Sequence, residues 1–405
     1  MNICIHKNIL GTGKHLFANK VENQYYWSDK IDNESWVFGD ENKPLRCANS
    51  VLRALKLEVL STPEEKYINS WHEVGKSCNG DVDWEKALHP DVFKEFVSRL
   101  VDQLWCVLEK IDDTYYGNEF LSCRSVTRSL TRACIDTKTF NALLKESKSL
   151  SGRKSLSSFA PDGTGKAQLP VYSTTSSVTG RLTVKSGPNI LTMKKSLRKI
   201  IKSKHPGGKI VQVDFVSLEP RVLLLMQEKK DPEDIYSYIR TSVLGGKFSR
   251  SVAKSATLGA IFGISSTRFQ ENSSLSPDES SSVLREVRRF FNVSSVGKGL
   301  KREMLQNGYI ENVYGRKVTP STSQAHVLVN NKVQSTGVDV ALLGFDTLLS
   351  SFKRLNIQAD PLFLIHDAII LDVPETDINK VRDIVKQGIY NKRFDAIFPV
   401  SIEEV

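Results

Sequence analysis

A chain of 405 residues, 40% hydrophobic and 25% charged, has the composition of a folded globular protein and exceeds what one hydrophobic core fills, so two or three packed units are expected. Lys and Arg number 56 against 46 Asp and Glu, a net charge of +10, which tilts the expected partner toward a polyanion. The six cysteines, at 4, 47, 78, 106, 123 and 134, never pair at zinc-finger spacing, and neither an export leader nor a run of about 18 apolar residues is present, so reduced thiols, no membrane span and a cytoplasmic location are expected.

Residues 1–60 read as short strands and turns around Tyr26, Trp27 and Trp36, and no chemistry attaches to them. Apolar spacing predicts a helix over 90–112 and a second over about 119–134. Ser, Gly and Lys dominate 146–168, where Pro161-Asp162-Gly163 signals a turn and a unit boundary. Gly-Thr-Gly-Lys occurs at 11–14 and again at 163–166. Neither copy has the earlier glycine or the following Ser or Thr of a phosphate loop, and both read as turns. Beyond 170, strand-like runs at 209–214, 310–314, 362–365 and 369–373 mix with helical runs at 217–228, 249–262, 277–291 and 322–350. They follow no regular βαβ repeat, which favours an α+β fold. Ser276, Pro277 and Glu279 spell a capping box at the start of one of these helices.

Three segments carry chemistry. Lys209 to Asp214 is an apolar strand ending on a carboxylate, followed by Ser217, expected to cap a helix that bears Glu219 and Pro220 in its first turn. An acid in that place can hold a hard cation between protein and phosphate oxygens; taken alone, the plainer reading of Asp214 as a loop polar group and Glu219 as a complement to the helix dipole stands slightly ahead. Arg250 and Lys254 lie at i and i+4, with Leu258 and Phe262 continuing the stripe, two cations suited to a triphosphate above an apolar half suited to a base or sugar. The plainer reading is a solvated charged pair over a core stripe. In Leu362 to Pro374 the pair His366-Asp367 interrupts two apolar strands, a poor turn chemically and a costly place for an ionisable pair unless something binds it.

Their order resembles the polymerase domain of family A DNA polymerases, the family of bacterial DNA polymerase I and several phage replicases. The resemblance spans about residues 140–405: Thr179-Gly180-Arg181-Leu182, Pro188-Asn189, Asp214 to Arg221, Arg250 to Gly263, Gly308-Tyr309 through Gly315-Arg316, Asn330 with Gln334, and His366-Asp367. It implies a right-hand polymerase with an antiparallel-sheet palm (166–235 and 296–405), helical fingers (236–295), a reduced helical thumb (61–165) and an unassigned region over 1–60. The implied activity is template-directed addition of deoxynucleotides to a primer 3′-hydroxyl. Asp214 and Asp367 would hold two Mg²⁺ ions, with Mn²⁺ as a substitute. Arg250, Lys254, Leu258, Phe262, Glu219 and Tyr236 would surround the nucleotide, Glu219 selecting the deoxy sugar, while Arg181, Asn330, Gln334 and His366 would line primer and template.

Departures from the family pattern are Ala368 where a carboxylate is usual, Leu258 for an aromatic residue, Phe262 for Tyr, His326 for Arg and Tyr236 for His. They keep open a catalytically silent primer-template-binding accessory protein, and the shared acidic and cationic motifs keep open a single-subunit RNA polymerase, against which Glu219 argues. Asp83-Trp84-Glu85 is an Asp-x-Glu triplet of nuclease kind on a short polar stretch, which is too little to signal a nuclease, and no proofreading is expected of this chain. The implied partners are primer-template DNA and dNTPs, with a separate exonuclease, a helicase or primase and a processivity factor, in the cytoplasm of a phage-infected bacterium.

Overall fold

The structure, a computed structural model, describes residues 1–32, 35–39, 46–59, 61–78, 84–111, 114–147 and 149–405. Asp83, the nuclease-like acid, lies outside the described residues. The chain divides into two compact units, Met1–Arg124 and Ser125–Val405.

The first unit is built on a four-stranded sheet in the order Gln24–Ser28, His15–Asn19, Asn2–Ile5, Trp36–Phe38, antiparallel except for the last pair. Ile3, Ile5, Leu16, Trp36 and Phe38 are buried in its core. The predicted helix over 90–112 runs Pro90–Leu108, with Pro90 in its first turn, where a missing N–H costs nothing, and His89 accepting from the Asp91 amide. Its stripe of Phe96, Val97, Leu100, Val101, Leu104 and Leu108 is buried at helical spacing. Among the described residues, no helix is long and apolar enough to cross a membrane.

The second unit centres on an antiparallel sheet in the order Asp360–Ile365, Ala368–Val373, Lys209–Phe215, Val400–Glu404. Strand Lys209–Phe215 is central and nearly all buried, which is why it reads as a continuous apolar run. Ile210, Phe363 and Ile370 belong to a core with Phe159, Leu156 and Phe140. Phe215 instead packs at a tilt against Phe345, from the long helix Ala325–Arg354, and edge-on against Phe398. Helices Arg250–Phe262, Ser266–Ser273, Pro277–Phe290 and Val293–Asn307 follow one another between strand Lys209–Phe215 and the long helix. The capping box forms as written: the Glu279 amide donates to Ser276 Oγ (3.3 Å) and the Ser276 amide to Glu279 Oε2 (2.9 Å).

Several expected elements are shorter. The helix expected over 119–134 stops at Arg128, because the Thr131 amide bonds the Pro361 carbonyl (2.7 Å) and Cys134–Ile135 pairs with Ile201–Lys202. The strand expected at 310–314 is Ile310–Glu311 only; Asn312 to Arg316 turn around the Asn312 side chain, whose oxygen accepts from the amides of Tyr314 and Arg316. Within the Ser-, Gly- and Lys-rich boundary at 146–168, Leu150–Ser157 forms a helix capped by Ser149.

Candidate active site

Asp214 is the next-to-last residue of the central strand, and its neighbour across the sheet is Ala368, the first residue after the His366-Asp367 turn. The Phe215 amide donates to the Asp367 carbonyl (3.2 Å), so ordinary antiparallel pairing brings the two acids to one end of the sheet. His366 takes a left-handed conformation (φ +55°) to turn the chain. Sequence chemistry disfavours that turn, and a strained residue beside an acid marks a place held by its surroundings.

Those surroundings are acidic. Burial, followed by the charges of Glu219 and Asp214, pushes Asp367 up to about 7. Burial raises Asp214 as well, followed by Glu403, while Gln212 and Lys195 oppose the rise. A small pocket lies between Asp367, Glu219, Arg181, Gln334 and His366. Two carboxylates with an all-oxygen donor set that resist sharing negative charge suit a divalent cation, whose further ligands come from water and phosphate. Among the described residues no group of three or more His, Cys, Asp or Glu side chains is gathered for a metal, so a cation here would rely on those outside ligands.

Ser217 departs from expectation. It occupies the residue before helix Leu218–Leu225 but in a left-handed conformation (φ +55°), with no side-chain bond to the helix amides. Its hydroxyl lies near the Tyr236 phenol, whose pKa burial raises. That kink carries the chain from the sheet end into the helix so that Glu219 faces the acids. Gly337 of the long helix lies close by; a Cβ there would stand 3.6 Å from Leu218 and 3.9 Å from Glu219.

Helix Arg250–Phe262 turns Ala253, Ala256, Ala260 and Ile261 into the core. Arg250, Lys254 and Phe262 are exposed and Leu258 is half-buried, so the stripe is an open face and not the core stripe of the plainer reading. Both cations stand over the ring of the buried Tyr236, Arg250 at 5.4 Å and Lys254 at 5.8 Å from its centroid. Arg250 also makes a two-pronged pair with Asp234. His326 packs its ring against Gly263, the left-handed residue (φ +75°) that ends this helix.

The expected primer-template residues fall into two groups. Arg181 Nε donates to His366 Nδ1 (3.2 Å), and burial with the Arg181 charge lowers the His366 pKa, so the ring is neutral at pH 7. Gln334 accepts from the Thr179 hydroxyl (2.7 Å), next to Gly180, whose positive φ and contact with the Arg316 guanidinium leave no room for a side chain. Arg316 is buried against Asp339 (2.7 Å), which Asn312 also reaches (2.6 Å), so this residue of the motif sits in a closed network. Asn330 lies one turn before Gln334 on the long helix, and its side-chain oxygen has no partner among the described residues.

Sequence reasoning missed the cations behind Asp214. Lys195 pairs with Glu403 (2.7 Å), and Arg198 donates to Gln212 (2.8 Å), whose amide lies 3.5 Å from Asp214 Oδ2. Their signal in the sequence is the basic run from Lys194 to Lys204 facing the acidic C-terminal strand.

The DNA polymerase family A model matches residues 144–403, more than half of the chain. DNA polymerase I of Aquifex aeolicus (strain VF5) is 27% identical over 262 residues, covering 58% of this chain and 45% of that protein. The DNA polymerase of Bacillus phage SP01 is 22% identical over 282 residues, 58% of this chain and 30% of that one. The chain thus spans less than half the length of these relatives. Among solved structures, the POL domain of Pol1 from M. smegmatis, in complex with DNA primer-template and dNTP, is similar in fold, with a TM-score of 0.65 at 11% identity over 96% of this chain and 91% of that one. The paired acids, the cationic helix and the matched residues place this chain in DNA polymerase family A.

Proposed function

We propose that the chain is a template-directed DNA polymerase core that extends a primer 3′-hydroxyl with deoxynucleotides. The observation that carries this reading is the strand register that sets Asp367 beside Asp214, with Glu219 against them. In this reading residues 166–235 and 296–405 are the palm, 236–295 the fingers and 61–165 a thumb-like region.

Asp214 and Asp367 are the residues that would hold Mg²⁺, or Mn²⁺ in its place; when bound, such ions polarise the attacking hydroxyl and neutralise the leaving pyrophosphate. Arg250 and Lys254 bind the triphosphate and place positive charge where negative charge gathers during transfer. Glu219 presents a carboxylate beside the sugar, which a ribose 2′-hydroxyl would crowd. Leu258 and Phe262 supply the apolar half of the nucleotide surface, and Tyr236 the floor under its cations. His366 sits by the primer terminus, and Arg181, bonded to it, lies with Asn330 and Gln334 along primer and template. Degradation of a mispaired primer is not part of the proposed activity.

Extension of a labelled DNA primer on a DNA template, with dNTPs in one reaction and rNTPs in another, tests the reading. DNA synthesis with a strong preference for dNTPs is expected. Preference for rNTPs would make the chain an RNA polymerase, and tight primer-template binding without extension in Mg²⁺ or Mn²⁺ would make it a silent accessory protein.

A further inference from the structure

Asp234 has two jobs at once. As the residue before helix Ile235–Tyr238, its Oδ1 accepts from the amides of Tyr236 (3.0 Å) and Ser237 (3.1 Å), and its Oδ2 from the Ser237 hydroxyl (2.7 Å). The same two oxygens receive Arg250 Nε (3.0 Å) and Nη2 (3.1 Å). A two-pronged carboxylate fixes the guanidinium plane as well as its position, and it engages two of the five N–H donors, leaving those of Nη1 uncommitted by this pair. The capped residue Tyr236 lies beneath the cations of both Arg250 and Lys254, and its phenol lies near Ser217, two residues before Glu219. One carboxylate therefore sets the aromatic floor and the first cation above it.

On these contacts we infer that Asp234 is a positioning residue for nucleotide binding: it holds the Arg250 guanidinium over Tyr236 with Nη1 available to a triphosphate. The inference rests on the nucleotide-binding part of the proposed function. An exposed ion pair contributes little to stability, and Arg250 and Asp234 are both about half exposed (53% and 43%). The value of the pair here is orientation: an exposed arginine otherwise samples many rotamers, and ordering it in advance removes that cost from nucleotide binding.

Asp234→Asn separates the two jobs, because Asn caps a helix about as well as Asp but loses the charge that grips Arg250. The test is equilibrium titration of a fluorescent dATP analogue onto the full chain with primer-template and Ca²⁺, run beside primer extension. The set comprises the native chain, Asp234→Asn, Asp234→Glu, Arg250→Ala and the double variant Asp234→Asn with Arg250→Ala. Asp234→Asn is expected to weaken nucleotide binding about 3- to 10-fold, with KM rising by a similar factor and kcat moving less than about 2-fold. Asp234→Glu should recover part of the loss, and the double variant should bind no worse than Arg250→Ala alone, since the carboxylate acts through that arginine. Unchanged binding in Asp234→Asn, or additive losses in the double variant, would overturn the inference. Tighter binding in Asp234→Asn would also overturn it, because it would mean that the carboxylate withholds Arg250 from the nucleotide. If the native chain binds the analogue in this pattern yet extends no primer, the polymerase reading fails while the role of Asp234 stands; if it binds no nucleotide at all, both fail.

Discussion

At the scale of single residues, the chemistry turns on carboxylates crowded by their own kind. Asp367 is half-buried, and its desolvation, followed by the charges of Glu219 and Asp214, raises its pKa to about 7 from an ordinary 3.8. Between those two values the folded chain keeps a proton on Asp367 that the unfolded chain has released. Stability contributed by that proton is therefore full below about pH 4 and is lost as pH rises through 7, by on the order of 4 kcal/mol. Asp367→Asn removes the titrating group, so in EDTA the variant should match the native chain in urea unfolding at pH 4 and exceed it at pH 8; a native chain that is the more stable at pH 8 would contradict this. Added Mg²⁺ should narrow the gap, because a cation that binds the folded native acid stabilises it by mass action. The same crowding explains why His366-Asp367 is legible in the sequence: an ionisable pair between two apolar strands has no packing reason to be there. The support behind Asp214 is not legible in that way. Lys195, Arg198 and Gln212 are ordinary polar residues in sequence; strand pairing sets Gln212 opposite Glu403, and the short helix Lys195–Ile200 brings the two cations to them.

Among the elements, legibility follows periodicity and punctuation. Strand Lys209–Phe215 and helices Arg250–Phe262 and Pro277–Phe290 lie where their apolar patterns put them, and the last begins at its capping box. Ser276→Ala removes the side-chain half of that box and should cost about 1 kcal/mol in urea unfolding; a loss below the error of the measurement would mean that the helix start is held by other contacts. Elements set by long-range pairing escape local pattern. Cys134–Ile135 pairs with Ile201–Lys202, and nothing near 134 in sequence announces that partner. Serine commonly caps the helix it precedes, but at Ser217 the backbone kinks left-handed and the hydroxyl makes no bond to the helix amides. The Gly308 to Arg316 motif is legible, though not its energetics. Arg316 and Asp339 are buried (7% and 0% side-chain exposure), with Asn312 donating to the same carboxylate. Asp339→Ala strands a buried guanidinium and should destabilise the second unit by about 3–5 kcal/mol. Arg316→Met, of similar length and uncharged, leaves Asp339 with the Asn312 bond and should cost less; the reverse order of losses would contradict the network as drawn.

At the scale of the whole molecule, two compact units carry different amounts of legible function. In Met1–Arg124 the sheet and the helix Pro90–Leu108 account for the alternating and helical apolar patterns, yet no chemistry attaches to them. In Ser125–Val405 the family match, the central sheet and the candidate site coincide. The net charge of +10 suits a nucleic acid partner, and primer-template affinity should weaken steeply with added salt. Everything proposed for the molecule converges on the two acids that one strand register brings together. The most direct test is single-turnover extension of a labelled primer at saturating dNTP in Mg²⁺ by the native chain, Asp214→Asn and Asp367→Asn, with primer-template affinity measured for each. The account predicts extension by the native chain and a loss of about 10³-fold or more in both variants, with primer-template binding retained. Extension by either variant at close to the native rate would contradict the assignment of that acid to the catalytic centre.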